Sequence, residues 1–306
     1  MTLDMSVNSR NDFSIVIPAK NEEAGLTGLL PQLKKLYPNA ELIVDDDGST
    51  DNTANIVREA GAICISHPVS LGNGGAIKTG ARSASREIIV FMDADGQHKP
   101  EDIPRLLSQM DENFDLVVGA RSHSSQASKA RAFANYAYNK LASLMTGFQI
   151  LDLTSGFRAV RRNKFLSILY LLPNKFSYPT TSTMAFFRSG FFVTYVPIVA
   201  EAREGKSHIK LFRDGMRFLI IILKIGALFS PMRLFLPISL GLFSIATTYY
   251  IYTYMSDGRF TNMGMLLYLS ALTVFLIGIV SEQVSALHYK DTSRGIRQDF
   301  TIEHKE

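Results

Sequence analysis

Two stretches of this chain, Leu234–Tyr254 and Met263–Ser281, contain no Asp, Glu, Lys or Arg. Each is about long enough to cross a hydrocarbon core of roughly 30 Å as a helix. The sequence therefore predicts two transmembrane helices close together, and whatever else the chain folds into must sit beside a bilayer. With 306 residues, 46% of them hydrophobic, it can also bury a sizeable core outside that hairpin. Met1–Asp12 is polar and carries no apolar stretch of the secretory type, so the region before the hairpin is expected in the cytosol.

The formal charge is only +4, and the basic residues are scattered around the hydrophobic segments and through the middle of the chain. That distribution excludes a nucleic-acid-binding block and suits anionic lipid. Phe212–Phe229 carries Arg213, Asp214, Arg217 and Lys224 among Leu, Ile and Phe, the pattern of an amphipathic helix lying on a bilayer surface. The lone cysteine, Cys64, sits in Ala-Ile-Cys-Ile and reads as a small buried hydrophobe, with no disulfide within the chain.

Upstream of these segments the apolar residues come in short runs. Phe13–Pro18, Glu41–Asp46, Ala62–His67, Glu87–Asp93 and Leu116–Gly119 are expected strands, separated by roughly 10 to 20 helix-compatible residues. That spacing predicts β-α-β crossovers and a mostly parallel, Rossmann-like α/β sheet, which binds ligands beyond the carboxyl ends of its strands. Ser122–Gly147 reads as helical and basic, and Leu151–Ser207 as mixed.

The fourth run ends in Asp93-Ala94-Asp95-Gly96-Gln97-His98. Alternate residues of an extended chain point the same way, so Asp93 and Asp95 can face one hard divalent cation that prefers oxygen ligands. A cation there could clamp a diphosphate. The first run ends in Pro18-Ala19-Lys20-Asn21-Glu22, and the second in Asp45-Asp46-Asp47-Gly48-Ser49-Thr50-Asp51. Carboxylates at neighbouring strand ends suit ribose hydroxyls and the N–H edge of a base, while Ser49–Asp51 also suits a helix cap. Gly72-Asn73-Gly74-Gly75-Ala76-Ile77-Lys78-Thr79-Gly80 is a glycine-rich turn entering a helix, whose backbone N–H groups suit an anion.

Taken in order, P-A-K-N-E, D-D-G-S-T-D, G-N-G-G-A-I-K-T-G, D-A-D-G-Q and D-L-T-S-G-F-R resemble the family 2 glycosyltransferases of GT-A fold, over about the first 210 residues. Within that family the chain is similar to the polyprenyl-phosphate hexosyltransferases, the group of dolichyl-phosphate mannose synthase. The resemblance implies that Pro18, Glu22 and Asp46 touch the nucleotide, with Lys78, Asp93, Arg203 and Lys206 also on the nucleotide-sugar side. It implies that Asp93, Asp95 and Gln97 surround Mg²⁺ or Mn²⁺, with Asp95 catalytic, whereas His98 is expected to serve the loop. With no tryptophan, the chain lacks the Q-x-x-R-W signature of processive synthases, and a single sugar transfer per acceptor is expected.

On the acceptor side, Arg121, Arg131 and Arg158 are candidate phosphate partners, because guanidinium groups pair bidentately with phosphate. Many inverting relatives carry a catalytic carboxylate after the metal site, but no Asp or Glu occurs between Leu153 and Ala200. A sugar hydroxyl needs such a base. A phosphate monoester, with a second pKa of about 6, does not. Asp152 is left as a weak base or an orienting group beside Arg158.

The expected function is inverting transfer of a hexose from a GDP- or UDP-linked sugar to a polyprenyl phosphate, undecaprenyl or dolichyl, at the cytosolic membrane face. A transferase acting on a glycolipid or lipid-linked saccharide hydroxyl, and a non-catalytic nucleotide-sugar-binding membrane protein, are the alternatives; a homo-oligomer is left open. The expected domains are a GT-A domain over residues 1–211, an interfacial helix over 212–232, a transmembrane hairpin over 233–285 and a cytosolic tail over 286–306. Arg217, Lys224 and Arg233 precede the first span and Lys290, Arg294 and Arg297 follow the second, against Arg259 alone in the turn. The positive-inside rule then puts both termini in the cytosol.

Overall fold

The structure is a computed structural model that describes residues 12–110, 114–121, 129–175, 178–199 and 226–289, without the side chains of 129–135, 288 and 289. In chain order its elements are β1 (Ser14–Ala19), α1 (Glu23–Leu36), β2 (Glu41–Asp46), α2 (Thr53–Glu59), β3 (Ile63–Ser66), α3 (Asn73–Ser83), β4 (Ile88–Phe91), α4 (Ile103–Met110), β5 (Leu116–Arg121), α5 (Lys129–Thr146), β6 (Arg158–Arg161), α6 (Arg162–Ser167), α7 (Tyr178–Arg188), β7 (Val193–Ile198), α8 (Pro231–Asp257) and α9 (Asn262–Tyr289). The five expected strands all form. Residues 151–199, read from sequence only as mixed, add β6, α6, α7 and β7.

The chain divides into two compact units, residues 1–140 with 149–207, and residues 141–148 with 208–306. In the first unit seven strands form one sheet in the order β3-β2-β1-β4-β6-β5-β7. β2 pairs in parallel with β1 and β3, β1 with β4, and β5 with β7. Only β6 runs against its neighbours, with Arg158 opposite Phe91 on β4 and Val118 on β5. Parallel strands therefore deliver Ala19, Asp46, Phe91 and Arg121 to one edge of the sheet, and the antiparallel β6 starts at that same edge.

Strands buried on both faces need continuous apolar runs, which Ser-Ile-Val-Ile-Pro-Ala and Ile-Ile-Val-Phe provide. On one face Ile15, Ile17, Leu42, Val44, Val90, Val117, Ala159 and Val196 pack with Leu26, Leu30 and Leu33 of α1 and with Ile103, Leu106 and Met110 of α4. Each fully buried aliphatic side chain there contributes about 1.5–3 kcal/mol of hydrophobic stabilisation. On the other face Phe91 meets Phe165 of α6 and Tyr178 of α7, with ring centroids 4.8 and 6.2 Å apart.

In the second unit α8 and α9 are long and apolar enough to cross a membrane. Their mutual face uses a small residue and buried hydroxyls. A Cβ on Gly278 would come 2.9 Å from that of Phe235. Ser239 Oγ donates to Ala271 O (3.0 Å) and Tyr268 donates to Thr247 Oγ1 (3.1 Å). Outward-facing Leu240, Phe243, Leu269, Leu272 and Leu276 are more than half exposed on the protein, as lipid-facing side chains are. The amphipathic helix expected over Phe212–Phe229 lies outside the described residues apart from its final turn, 226–229, which is helical.

Candidate active site

The first two motifs lock together at the ends of β1 and β2. Asn21, in the left-handed region at φ 55°, accepts from Thr50 N through its side chain (2.8 Å), and its own N–H donates to Ser49 Oγ (2.9 Å). Glu22 N donates to Thr53 Oγ1 (3.0 Å), and Asn52 N donates to Glu23 Oε2 (3.2 Å). Asp46 is buried and accepts from Ser49 N (2.9 Å). Pro18 lies beside Asp45 in the β1–β2 register. The sheet thus brings Pro18, Glu22 and Asp46 together at adjacent strand ends. Asp51 accepts from Thr53 N (3.1 Å), the first residue of α2, whereas the N-cap position itself is Asn52, one residue beyond the expected Ser49–Asp51.

At the glycine-rich turn the expected anion is internal to the protein. Asp47 accepts from Leu71 N (2.7 Å), Gly72 N (2.8 Å) and Ser70 Oγ (2.6 Å), and its Oδ1 lies 3.0 Å from His67 Nδ1. Burial alone would raise the Asp47 carboxyl, but these bonds outweigh it and hold it below the usual carboxylate range. Beyond Asn73, two further N–H groups are taken, Gly74 N by Lys175 O (3.1 Å) and Gly75 N by Asn174 O (2.7 Å). The turn is therefore a dock for residues 173–175, not an open phosphate cradle. Lys78, one turn into α3, is half-buried, and burial with the charge of Arg82 lowers its pKa.

Asp93 and Asp95 follow β4 at the carboxyl edge, both partly exposed. Asp95 Oδ1 accepts from Gln97 N (3.2 Å), which folds the loop so that Gln97 follows on the same turn. The Asp93 carboxylate packs against Gly156, where a Cβ would come within 2.6 Å of Oδ2, so residue 156 has no room for a side chain. Burial, and after it the neighbouring charge of Asp95, raise the Asp93 carboxyl against the opposing influence of His98. The two carboxylates and the Gln97 amide offer hard oxygen donors, the chemistry that Mg²⁺ or Mn²⁺ takes. Among the described residues no three His, Cys, Asp or Glu side chains form a self-sufficient metal site. His98 is buried, stacks on Phe157 with centroids 5.1 Å apart, and accepts from Asp93 N through Nδ1 (3.4 Å).

Arg121, at the end of β5, forms a two-pronged pair with Asp152, Nε to Oδ2 at 2.8 Å and Nη2 to Oδ1 at 3.0 Å, and also donates to Thr154 Oγ1 (2.6 Å). Burial raises the Asp152 carboxyl, but the hydrogen bonds and charge of Arg121 outweigh it and keep the group ionised below its ordinary value. In the same way burial lowers the Arg121 guanidinium and Asp152 more than restores it.

Arg158, expected at the acceptor phosphate, lies elsewhere. It is 0% exposed. Its Nη1 donates to Pro179 O (3.1 Å), Ser182 Oγ (2.8 Å) and Thr183 Oγ1 (3.2 Å), and its Nη2 to Ser155 O. The first turn of α7 supplies oxygen acceptors in place of a carboxylate, so the guanidinium is drawn into the core beneath the edge of the sheet. Arg131 lies on the α5 backbone with its side chain outside the described residues, as are Arg203 and Lys206 altogether. Sequence reasoning missed Asp47, His67 and the 173–175 segment; the three-Asp run at the end of β2 was the available signal for the first.

A family model described as Glycosyl transferase family 2 matches residues 14–169, and one described as GtrB C-terminal hairpin matches residues 230–287. An undecaprenyl-phosphate 4-deoxy-4-formamido-L-arabinose transferase of Shewanella sediminis is 37% identical over 176 residues, 54% of this chain and 53% of the relative. The protein of the same description from Proteus mirabilis is 37% identical over 163 residues, half of each chain. This chain spans about half the length of those curated relatives. Among solved structures, glucosyl-3-phosphoglycerate synthase from Mycobacterium tuberculosis, in complex with Mn²⁺, UDP and phosphoglyceric acid, is similar at a TM-score of 0.59 and 25% identity, over 72% of this chain and 80% of that one.

Proposed function

Because this chain belongs to glycosyl transferase family 2, we propose that it transfers a hexose, with inversion, from a GDP- or UDP-linked sugar to a polyprenyl phosphate at the cytosolic face of a membrane. One observation carries the choice of acceptor. Asp152, the carboxylate beside the candidate acceptor arginine, is engaged on both oxygens by Arg121 and held below the usual carboxylate range. A group so held is a poor base for a sugar hydroxyl. A phosphate monoester, mostly dianionic near neutral pH, attacks without one. The relatives described as undecaprenyl-phosphate transferases and the matched C-terminal hairpin support the same acceptor class.

In this reading Pro18, Glu22 and Asp46 hold the nucleotide, and Lys78, with Arg203 and Lys206, faces its phosphates. Asp93, Asp95 and Gln97 hold the divalent cation, which supplies Lewis-acid stabilisation of charge on the departing diphosphate. Arg121, oriented by Asp152 and assisted by Arg131, binds the acceptor phosphate. A phosphate oxygen attacks the anomeric carbon from the face opposite the leaving group. The new C–O bond forms as the bond to the nucleoside diphosphate breaks, so an α-linked donor gives a β-linked polyprenyl monophosphate sugar. Arg158 acts from below by fixing Ser155 and α7. The termini lie in the cytosol, where nucleotide sugars are available.

The test is a panel of nucleotide sugars offered with one short polyprenyl phosphate to the full chain in nanodiscs. A lipid-linked monophosphate sugar cleaved by mild acid is expected. An acid-stable glycolipid product would favour the hydroxyl-acceptor alternative, and donor binding without turnover would favour a non-catalytic protein.

A further inference from the structure

The second unit contains a short piece of α5, residues 141–148, together with the hairpin. The joint between them is polar. Arg233, near the start of α8, donates through Nη1 to Leu144 O and to Met145 O, both at 3.0 Å, and Ser230 Oγ donates to Met145 O (2.8 Å). On its other side the joint is tied to α9, where Glu282 Oε2 accepts from Met232 N (3.3 Å) and Ser285 Oγ donates to Leu228 O (2.6 Å).

The opposite end of α8 is aromatic. Tyr250 packs against Tyr254 and Phe260, with centroids 5.8 and 5.5 Å apart, while Tyr252 and Tyr254 are exposed. From Arg233 to Tyr254 the helix rises by about 32 Å at roughly 1.5 Å per residue. A hydrocarbon core is roughly 30 Å thick, with cationic and aromatic residues favoured at its two boundaries. Arg233 therefore marks one boundary of the bilayer, and the carbonyls it caps belong at that same depth.

That places the end of α5 at the headgroup level, and its side chains suit the place. Leu144 is 65% exposed and Phe148 55%. Much of the backbone there is paired: Gly147 N donates to Ser143 O (2.8 Å), Phe148 N donates to Thr146 Oγ1 (3.2 Å), and Thr146 Oγ1 donates to Ala142 O (3.0 Å). Helix ends normally leave open carbonyls that hold them in water. Here Arg233 and Ser230 take them. Gly147, at φ 81°, both closes the helix and leaves space for the guanidinium, since a Cβ there would lie 3.1 Å from Arg233 Nη1.

We propose that residues 143–148 form a third membrane-contacting element, with Leu144 and Phe148 inserted among the lipid headgroups and upper acyl chains of the inner leaflet. The proposal rests on the membrane reading of the hairpin, and the occupant is the bilayer itself. The chain has no tryptophan, so single tryptophans are clean depth probes. The full chain carrying Leu144→Trp, Phe148→Trp or, within the hairpin, Leu272→Trp is placed in phosphatidylcholine vesicles containing lipid brominated near the head or near the end of the acyl chain. Tryptophans at 144 and 148 are expected to emit at blue-shifted wavelengths, to lose most emission to the head-proximal bromines, and to resist aqueous iodide. Quenching of Leu272→Trp with iodide-sensitive, bromine-blind emission at 144 and 148 would overturn the proposal alone. Emission at 144 and 148 that both quenchers leave intact would mean that protein covers the turn, from this chain or a second copy, and would also overturn it. A Leu272→Trp signal blind to all bromines would remove the membrane-spanning reading, and the proposal with it.

Discussion

The carboxyl edge of the sheet has two halves that are built differently. In the donor half, β1 to β4 are parallel, and each strand runs directly into the motif it presents: Pro18–Glu22, Asp46–Asp51 and Asp93–Gln97. The first two of those motifs are bonded to each other, Asn21 with Ser49 and Thr50 and Glu22 with Thr53. In the acceptor half, the antiparallel β6 is inserted between β4 and β5, Arg121 is held by Asp152 some thirty residues later, and Arg158 is held by the start of α7. Both halves are closed by contacts 24 to 31 residues apart in sequence; what differs is that the donor-side motifs continue their strands outward, whereas Arg158 at the start of β6 is turned into the core. In the proposed function the cation and nucleotide take the side chains at the strand ends, and the lipid phosphate takes a guanidinium steered by Asp152.

The largest effect is expected in the donor half. Asp95→Asn removes one carboxylate from the cation set, and loss of that charge stabilisation is worth several kcal/mol, so turnover should fall by at least about a hundredfold. Steady-state rates with titrated Mn²⁺ check it. Near-parental turnover in EDTA would remove the cation from the mechanism and leave the two halves equally dependent on protein charge alone.

Arg158 comes next and tests whether the acceptor half is steered from its core. Arg158→Ala leaves Ser155 O, Pro179 O, Ser182 Oγ and Thr183 Oγ1 without their guanidinium donor, and should destabilise the protein by about 1–3 kcal/mol for each of them left unsatisfied. For a unit of this size that lowers Tm by roughly 2–4 °C per kcal/mol. Thermal unfolding of the full chain in detergent measures it. A variant with parental Tm and a selective loss of acceptor binding would return Arg158 to the acceptor site and undo the distinction drawn here.

The same contrast explains what the sequence made legible. β1, β2 and β4 are apolar runs that stop at a turn or a carboxylate, so residue order alone reveals strand, end and motif together. β6 reads Arg-Ala-Val-Arg, four residues with a cation at either end, and nothing local marks it as a central strand. Arg158 is buried because Ser182, Thr183 and Pro179 arrive from a helix more than twenty residues later, and only the folded chain brings those oxygens to it. The glycine-rich turn was legible as an anion site, but not the fact that Asp47 is the anion. Asp93 and Asp95 follow β4 directly, so their place at the carboxyl edge could be read from the one strand that precedes them.

Arg121 gives a smaller, more selective effect. Losing one charge-assisted contact costs roughly 1.5–3 kcal/mol. Arg121→Ala should therefore raise KM for the polyprenyl phosphate about ten- to a hundredfold, with nucleotide affinity unchanged. Asp152→Asn, which leaves the guanidinium in place but unsteered, should do the same more weakly. Measuring nucleotide Kd and acceptor KM separately decides the matter; a loss confined to nucleotide Kd would move Arg121 into the donor half.

The last effect, on stability and not on turnover, lies beneath the proposed donor half, at Asp45. Its carboxylate is 0% exposed, accepts no hydrogen bond, and has His67 Nε2 at 3.5 Å. Burial pushes its pKa up to about 7, the charge of His67 opposes this, and Asp47 and Asp46 add to it. An acid whose pKa is higher folded than unfolded holds a proton in the folded state that the unfolded chain has already released. Between about pH 4 and 7 folding therefore takes up a proton, and stability falls as pH rises through that window. Below pH 4 the full contribution is present. Asp45→Asn cannot ionise, so its Tm relative to the parent should climb across the same window and level off above pH 7, by roughly 2–4 °C for each kcal/mol released. Paired melts of the full chain at pH 4.5 and 8, in matched ionic strength, give that difference directly. A difference that stays flat or shrinks with pH would mean that Asp45 is stabilised as a carboxylate by His67, and that the donor half holds its charges as securely as Arg121 holds Asp152.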